Sequence, residues 1–262
     1  MKDLLLMRAP LKYIQGKGAL EHFYENCKFF GDHFLFVCSH SAYEATHDEI
    51  EKSFEGSKTI RRYEIFSGIS SVGEIKKMEE IVKKDHIDVV IGVGGGSAID
   101  TAKATAFYTN KRIAIIPTVV ATDAPCTGLS VIYNDDHSFN SYLFYPNNPD
   151  LVIVDSGVIA NAPTKFLVAG MGDALGTYFE ARASYKTHSL SLEMGGITLS
   201  SLALCELCYK TLLKDGVKAM ISNDNHLVTP ELDSIIEANV YLSGVGAVIG
   251  ANTAEIDVSF ND

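Results

Sequence analysis

The chain has 262 residues, 47% of them hydrophobic, and a formal net charge of −11. That apolar content is ample for a core, in one large domain or two smaller ones, and the acidic balance argues against a nucleic-acid or anionic-membrane partner. No apolar run approaches the length of a membrane span, and the apolar run at the start is too short for a secretory signal, so a soluble, cytoplasmic protein is expected.

Hydrophobic periodicity predicts strands over 33–38 and 59–65 and helices over 41–54 and 72–84. Ser71 and Glu74 have the spacing of a capping box, in which Ser71 bonds the N–H three residues on and Glu74 reaches back. Val89 to Lys103 reads VVIGVGGGSAIDTAK, an apolar strand breaking into glycines and then into a helix predicted over 98–108. Gly92, Gly94, Gly95 and Gly96 would let backbone approach a pyrophosphate, and the helix opening near Ser97 would aim unpaired N–H groups at it. Ser97 stands where a dinucleotide fingerprint has its third glycine, so a tight strand-to-helix turn is the competing reading. Strands at 112–116 and 151–154 bracket an expected hairpin, 129–133 with 142–145. Alternation of this kind gives a largely parallel sheet covered by helices on both faces. After Pro163 the pattern is helical only, over 165–185, 189–213 and 229–246, with a polar turn expected at 222–226.

The segments G-G-G-S-x-x-D-T-A-K from Gly94, P-T-x-x-x-T-D-A-P from Pro117 and G-M-G-D-A-L from Gly170 resemble, in that order, the glycerol dehydrogenases of the iron-containing alcohol dehydrogenase superfamily. The resemblance runs from about Leu5 to Gly246. It implies an α/β fold: a Rossmann-like parallel-sheet domain that binds NAD, residues 1–162, followed by an incomplete all-helical metal and substrate domain, residues 163–262. The implied reaction is NAD-dependent oxidation of glycerol, or a small vicinal diol, to dihydroxyacetone, assisted by a metal, Zn2+. Asp173 matches the metal-ligand aspartate, with a helix N-cap or first-turn acid as the plain alternative. Asp123 matches the carboxylate that contacts substrate hydroxyls, with a turn aspartate beside Pro125 as the alternative. Ser39, Gly94, Gly95, Gly96, Ser97 and Asp100 fall at cofactor-binding positions. Thr118, Ala121, Thr127, Leu129 and Tyr133 fall on the nicotinamide side, and Lys103 is expected only to neutralise Asp100. Ser39 stands where NAD enzymes usually carry an acid for the ribose, so NAD over NADP rests on family likeness alone. A small polyol is the expected substrate, and a homo-oligomer the expected assembly.

Two features depart from the family. An ungapped reading puts Ile256 where the first histidine ligand belongs, and no later histidine follows, so a truncated, NAD-binding remnant is the alternative function. None of the eight histidines forms a pair with the one-turn helical spacing of a zinc motif. The five cysteines make no disulfide framework, and Cys205 and Cys208 read as two small hydrophobes on one helix face. Cys126 is the thiol expected near the cleft.

Overall fold

A computed structural model describes residues 4–190 and 195–246 of the chain. Six strands, β1 (Tyr13–Gly16), β2 (His33–Cys38), β3 (Ile60–Ile65), β4 (Val89–Gly94), β5 (Arg112–Pro117) and β8 (Leu151–Asp155), form one sheet. Its order is β1-β8-β5-β4-β2-β3 and every pairing is parallel. Two further strands, β6 (Leu129–Tyr133) and β7 (Phe139–Phe144), make a separate antiparallel hairpin. The expected α/β, Rossmann-like class is the observed one. Strands β2, β4, β5 and β8 are almost wholly buried, which suits a parallel sheet covered on both faces.

Helices α1 (Phe23–Cys27), α2 (His40–Ser53), α3 (Val72–Lys84), α4 (Gly96–Thr109) and α5 (Ser156–Ala160) accompany the sheet. Small residues let α4 sit deep: Ala98, Ala102, Ala104 and Ala106 are all buried. A Cβ on Gly92 would lie 2.9 Å from the Cβ of Ala102 and 3.2 Å from the Cα of Ile99. Gly92 therefore packs strand against helix. At the start of α3 the capping box is half present. Ser71 accepts from Glu74 N–H at 3.2 Å, but Glu74 pairs with Lys77, and Asp135 of the hairpin turn takes its place, bonding Ser71 Oγ at 2.6 Å and Gly73 N–H at 3.0 Å.

A helical layer follows, made of α6 (Thr164–Thr187), α7 (Leu199–Asp224), α8 (Pro230–Glu237), a π-helical turn (Ala238–Leu242) and α9 (Ser243–Gly246). Helix α7 starts ten residues later than the sequence suggested, at the Thr198 cap, which accepts from Ser201 N–H at 3.0 Å. It covers the first three residues of the expected polar turn and ends at Asp224, the turn itself falling at Asn225 and His226. Asn223 stays buried there because its Nδ2 donates to the carbonyls of Ile159, Ala160 and Ala162, closing the end of α5. The 229–246 stretch, expected as one helix, is interrupted by the π turn. Cys205 and Cys208 share the inner face of α7, and burial pushes both thiols up to about 12, which leaves them inert.

One apolar cluster runs unbroken from the sheet into the helices, joining Ile115, Val152 and Val154 to Leu167, Leu212 and Leu232. Among the described residues, no helix is long and apolar enough to cross a membrane. The Ile256 position and the tail from Ala247 lie outside the described residues.

Candidate active site

The strand order reverses between β2 and β4, since the chain goes from β2 outward to β3 and then back across to β4. In open α/β sheets the crevice beyond the carboxyl ends of such a strand pair is the place for a ligand. Here β2 ends at Ser39 and β4 at the glycine loop. Gly94 has φ of 146°, a conformation that favours glycine, and a Cβ there would meet Ala98 Cβ at 3.1 Å and Ser39 Oγ at 3.3 Å. Ser39 caps α2, accepting from Ala42 N–H at 3.3 Å. No side chain caps α4, and Ser97 in its first turn is exposed. That end carries the partial positive charge of the helix dipole, aimed into the crevice.

The segment after β5 closes over this end. Thr118 N–H bonds Gly94 O at 3.1 Å. A Cβ on Gly95 would come 3.2 Å from Val119 Cγ2, and one on Gly96 would come 3.3 Å from Thr122 Cγ2, so the glycines leave room for the loop that carries Ala121. This cradle fits the diphosphate of a dinucleotide. Lys103, 3% exposed, holds the following turn by donating to the carbonyls of Ala124 (3.0 Å), Thr127 (3.5 Å) and Leu129. Tyr133 sits at the other end of β6, where its N–H bonds Ser70 O at 2.9 Å beside the start of α3.

Asp100 has structural partners of its own. Its Oδ1 lies 3.1 Å from Lys103 Nζ, and its Oδ2 accepts Val131 N–H at 3.0 Å. Asp100, 8% exposed, thus ties α4 to the hairpin, with Oδ2 hydrogen-bonded and Oδ1 held by the ion pair alone.

Asp123, expected from the loop, and Asp173, expected from α6, meet across the two layers. Burial, and then the charge of Asp173, push the Asp123 carboxyl up to about 7, while Lys103 pulls it down. Burial also raises Asp173, offset in part by a hydrogen bond from the Asp123 backbone N–H. Glu180, two turns further along α6, is raised by burial and by Asp173. Nothing in the motifs singled Glu180 out, although its seven-residue separation from Asp173 puts both on one helix face. Cys126 is fully buried and its thiol is raised by burial and by Asp123, so it packs beside the cleft and does not react in it.

The raised value has a measurable consequence. Asp123 keeps its proton in the folded chain at pH values where the unfolded chain has lost it, so this group's contribution to stability falls as pH rises from about 4 to about 7. Asp123→Asn is therefore expected to stabilise the protein at pH 8 by about 2 kcal/mol, roughly half the full linkage value because the carboxyl is partly exposed. The gain should fade toward pH 4 in urea titrations at a series of pH values; a gain independent of pH would mean that the carboxyl titrates normally.

Zinc fits less well than the dinucleotide. A catalytic zinc takes three protein ligands. Among the described residues no group of three His, Cys, Asp or Glu converges on one point. A separate cavity of about 620 Å3, lined by Phe107, Arg112, Tyr145 and Asn148 among others, opens near the amino end of β5, at the opposite end of the strand from the glycine loop.

A doubly wound parallel sheet with a glycine cradle at its switch point defines the class of α/β proteins that bind nucleotides at the carboxyl ends of their strands. Comparison narrows this. Residues 10–156 match the sequence profile of the iron-containing alcohol dehydrogenases. A glycerol dehydrogenase of Escherichia coli is 42% identical over 249 residues, spanning 95% of this chain and 68% of that protein. The crystal structure of a probable glycerol dehydrogenase from Sinorhizobium meliloti superposes with a TM-score of 0.86 at 36% identity, over 93% of this chain and 67% of that one. For the glycerol dehydrogenase of Schizosaccharomyces pombe the TM-score is 0.87 at 32% identity, over 93% and 62%. The chain belongs to the iron-containing alcohol dehydrogenase family, oxidoreductases acting on CH–OH groups. It spans about two thirds of the length of the relatives it matches.

Proposed function

We propose that the chain binds NAD in the switch-point crevice and presents Asp123 to the hydroxyls of glycerol or a small vicinal diol, as part of the oxidation of glycerol to dihydroxyacetone. The observation that carries this reading is the cradle itself, an uncapped helix N-terminus behind Gly94, Gly95 and Gly96 at the point where the strand order reverses. Similarity to proteins named glycerol dehydrogenases supports the substrate class. In this arrangement Ser39, Gly94–Gly96 and Ser97 hold the adenosine and diphosphate end, while Thr118, Ala121, Thr127, Leu129 and Tyr133 line the nicotinamide side. Residues 1–162 serve the cofactor, and residues 163–262 bring Asp173 to the substrate.

Bound NAD supplies the acceptor for the hydride that leaves the secondary carbon. The chain's own part is to bind and to manage the proton. An alcohol losing hydride must also lose its hydroxyl proton, and a carboxyl held near 7 can take it at Oδ of Asp123 close to neutral pH. Burial, and then the charge of Asp173 one layer away, keep that value high. The described residues do not by themselves complete a zinc site, and no step is routed through metal.

The cradle by itself also supports a second reading, in which NAD(H) binds without turnover. Two measurements separate the readings: NADH fluorescence titration, and glycerol-dependent NAD reduction with and without added zinc. Binding is expected in the first, and glycerol-dependent reduction that disappears in Asp173→Ala in the second. Binding without any reduction would leave the second reading, and failure to bind NADH would overturn the cofactor reading.

A further inference from the structure

The middle of the loop that follows β5 is held by a single side chain. Asn239 lies in the π-helical turn, fully buried, and its Nδ2 donates to Val120 O at 3.1 Å and to Leu167 O at 3.0 Å. One acceptor is on the crevice loop and the other on α6. The two backbones meet there at unusually close range, since a Cβ on Gly170 would lie 1.9 Å from Val120 O. The loop's start is fixed separately by Thr118 N–H on Gly94 O, and its end by Gly244, where a Cβ would come 3.0 Å from Asp123 O. Asn239 thus holds the span between the glycine cradle and the carboxylate.

Two details set this amide apart from an ordinary structural pin. Its Oδ1 has no hydrogen-bond partner although the residue is fully buried, a state that stability alone disfavours. The helix also leaves α geometry where Asn239 sits, with Ser243 N–H reaching back five residues to Ala238 O, and single π turns are frequent at functional sites. Asn223 is the natural contrast. It is equally buried and its Nδ2 serves three carbonyls, but these close the end of α5 and do not belong to the crevice loop.

We propose that Asn239 is a positioning residue for the nicotinamide side of the crevice, fixing the Thr118–Asp123 loop against α6. This rests on the cofactor reading above. The loop is rigid there because Asn239 bridges two backbones, and a dinucleotide uses that rigidity only at its nicotinamide end. ADP-ribose, which shares the adenosine and diphosphate parts and lacks the nicotinamide, does not depend on it.

Calorimetric titration of NADH and ADP-ribose into the wild-type chain, Asn239→Ala and Asn223→Ala tests this. Asn239→Ala is expected to weaken NADH about tenfold and to leave ADP-ribose within about twofold, while Asn223→Ala lowers the melting temperature and moves neither affinity. Should Asn239→Ala fail to fold, the isosteric Asn239→Asp, which loses the double donor, is expected to show the same split. With wild-type binding intact, equal losses for both ligands, or no loss for either, overturn the proposal alone. A wild-type chain that binds neither nucleotide overturns the cofactor reading and this proposal with it.

Discussion

Replacing Lys103 with methionine is expected to lower the free energy of unfolding by about 3–5 kcal/mol, the range for breaking a buried ion pair from one side. Methionine keeps most of the stem volume, so the loss is one of charge and donors and not of packing. The ammonium of Lys103 sits 3.1 Å from Asp100 and serves the carbonyls of Ala124, Thr127 and Leu129. Its removal strands a carboxylate that is 8% exposed and leaves three carbonyls without their shared donor. Asp100→Asn in the Lys103→Met background should recover part of the loss, because the two charges are in contact and their effects do not add. Urea unfolding of the two single variants and the double variant measures the coupling. A cost below about 1 kcal/mol for Lys103→Met, the value of an exposed pair, would show the cluster to be solvated.

A second large effect is expected from one methyl group. Gly170→Ala gains up to about 1 kcal/mol of helix propensity, yet its Cβ would lie 1.9 Å from the Val120 carbonyl oxygen. Both parties to that contact are backbone, so no rotamer change relieves it, and α6 must move away from the crevice loop. The net cost is expected to be about 2 kcal/mol or more, as for other overpacked sites. Gly172, two residues on, is exposed and has nothing within 4 Å of its Cβ position, so Gly172→Ala should be neutral or stabilising by up to about 1 kcal/mol. Thermal melts of the two alanine variants make the comparison. Equal melting temperatures would mean that the loop yields freely and that the close approach has no energetic weight.

The parts legible in the sequence were those governed by local pattern. Strands β2, β4 and β5 carry apolar runs, and α3 an amphipathic period, so their bounds differ from expectation by a few residues at most. The glycine loop was legible for a related reason, since missing side chains announce close backbone approach whatever its purpose. What escaped depends on partners far away in the chain. Strand β1 is four residues long and exists only by pairing with β8, Tyr13 against Val152. Asn223 reads as turn material until it is placed against the carbonyls that close α5. Asp100 reads as a first-turn acid near a phosphate site until the hairpin, thirty residues on, is seen to use its oxygens. Asp123 and Asp173 could each be named from their motifs, but the field that Asp173 exerts on Asp123 follows from the meeting of two layers that no local pattern records.

The sheet ends on the two sides in ways that bear on how copies of the chain can meet. An open edge is a template for another strand. On one side β3 places Arg61 in a pair with Glu51 at 2.9 Å, and Arg62 against Glu64 and Asp85, so a strand arriving there would have to strip water and partners from two guanidinium groups. On the other side β1 is short and already engaged, with Gln15 Nε2 on Asp233 O at 2.9 Å and the Tyr13 ring 4.7 Å from that of Tyr241. Among the described residues, neither border of the six-stranded sheet is a bare template for a further strand.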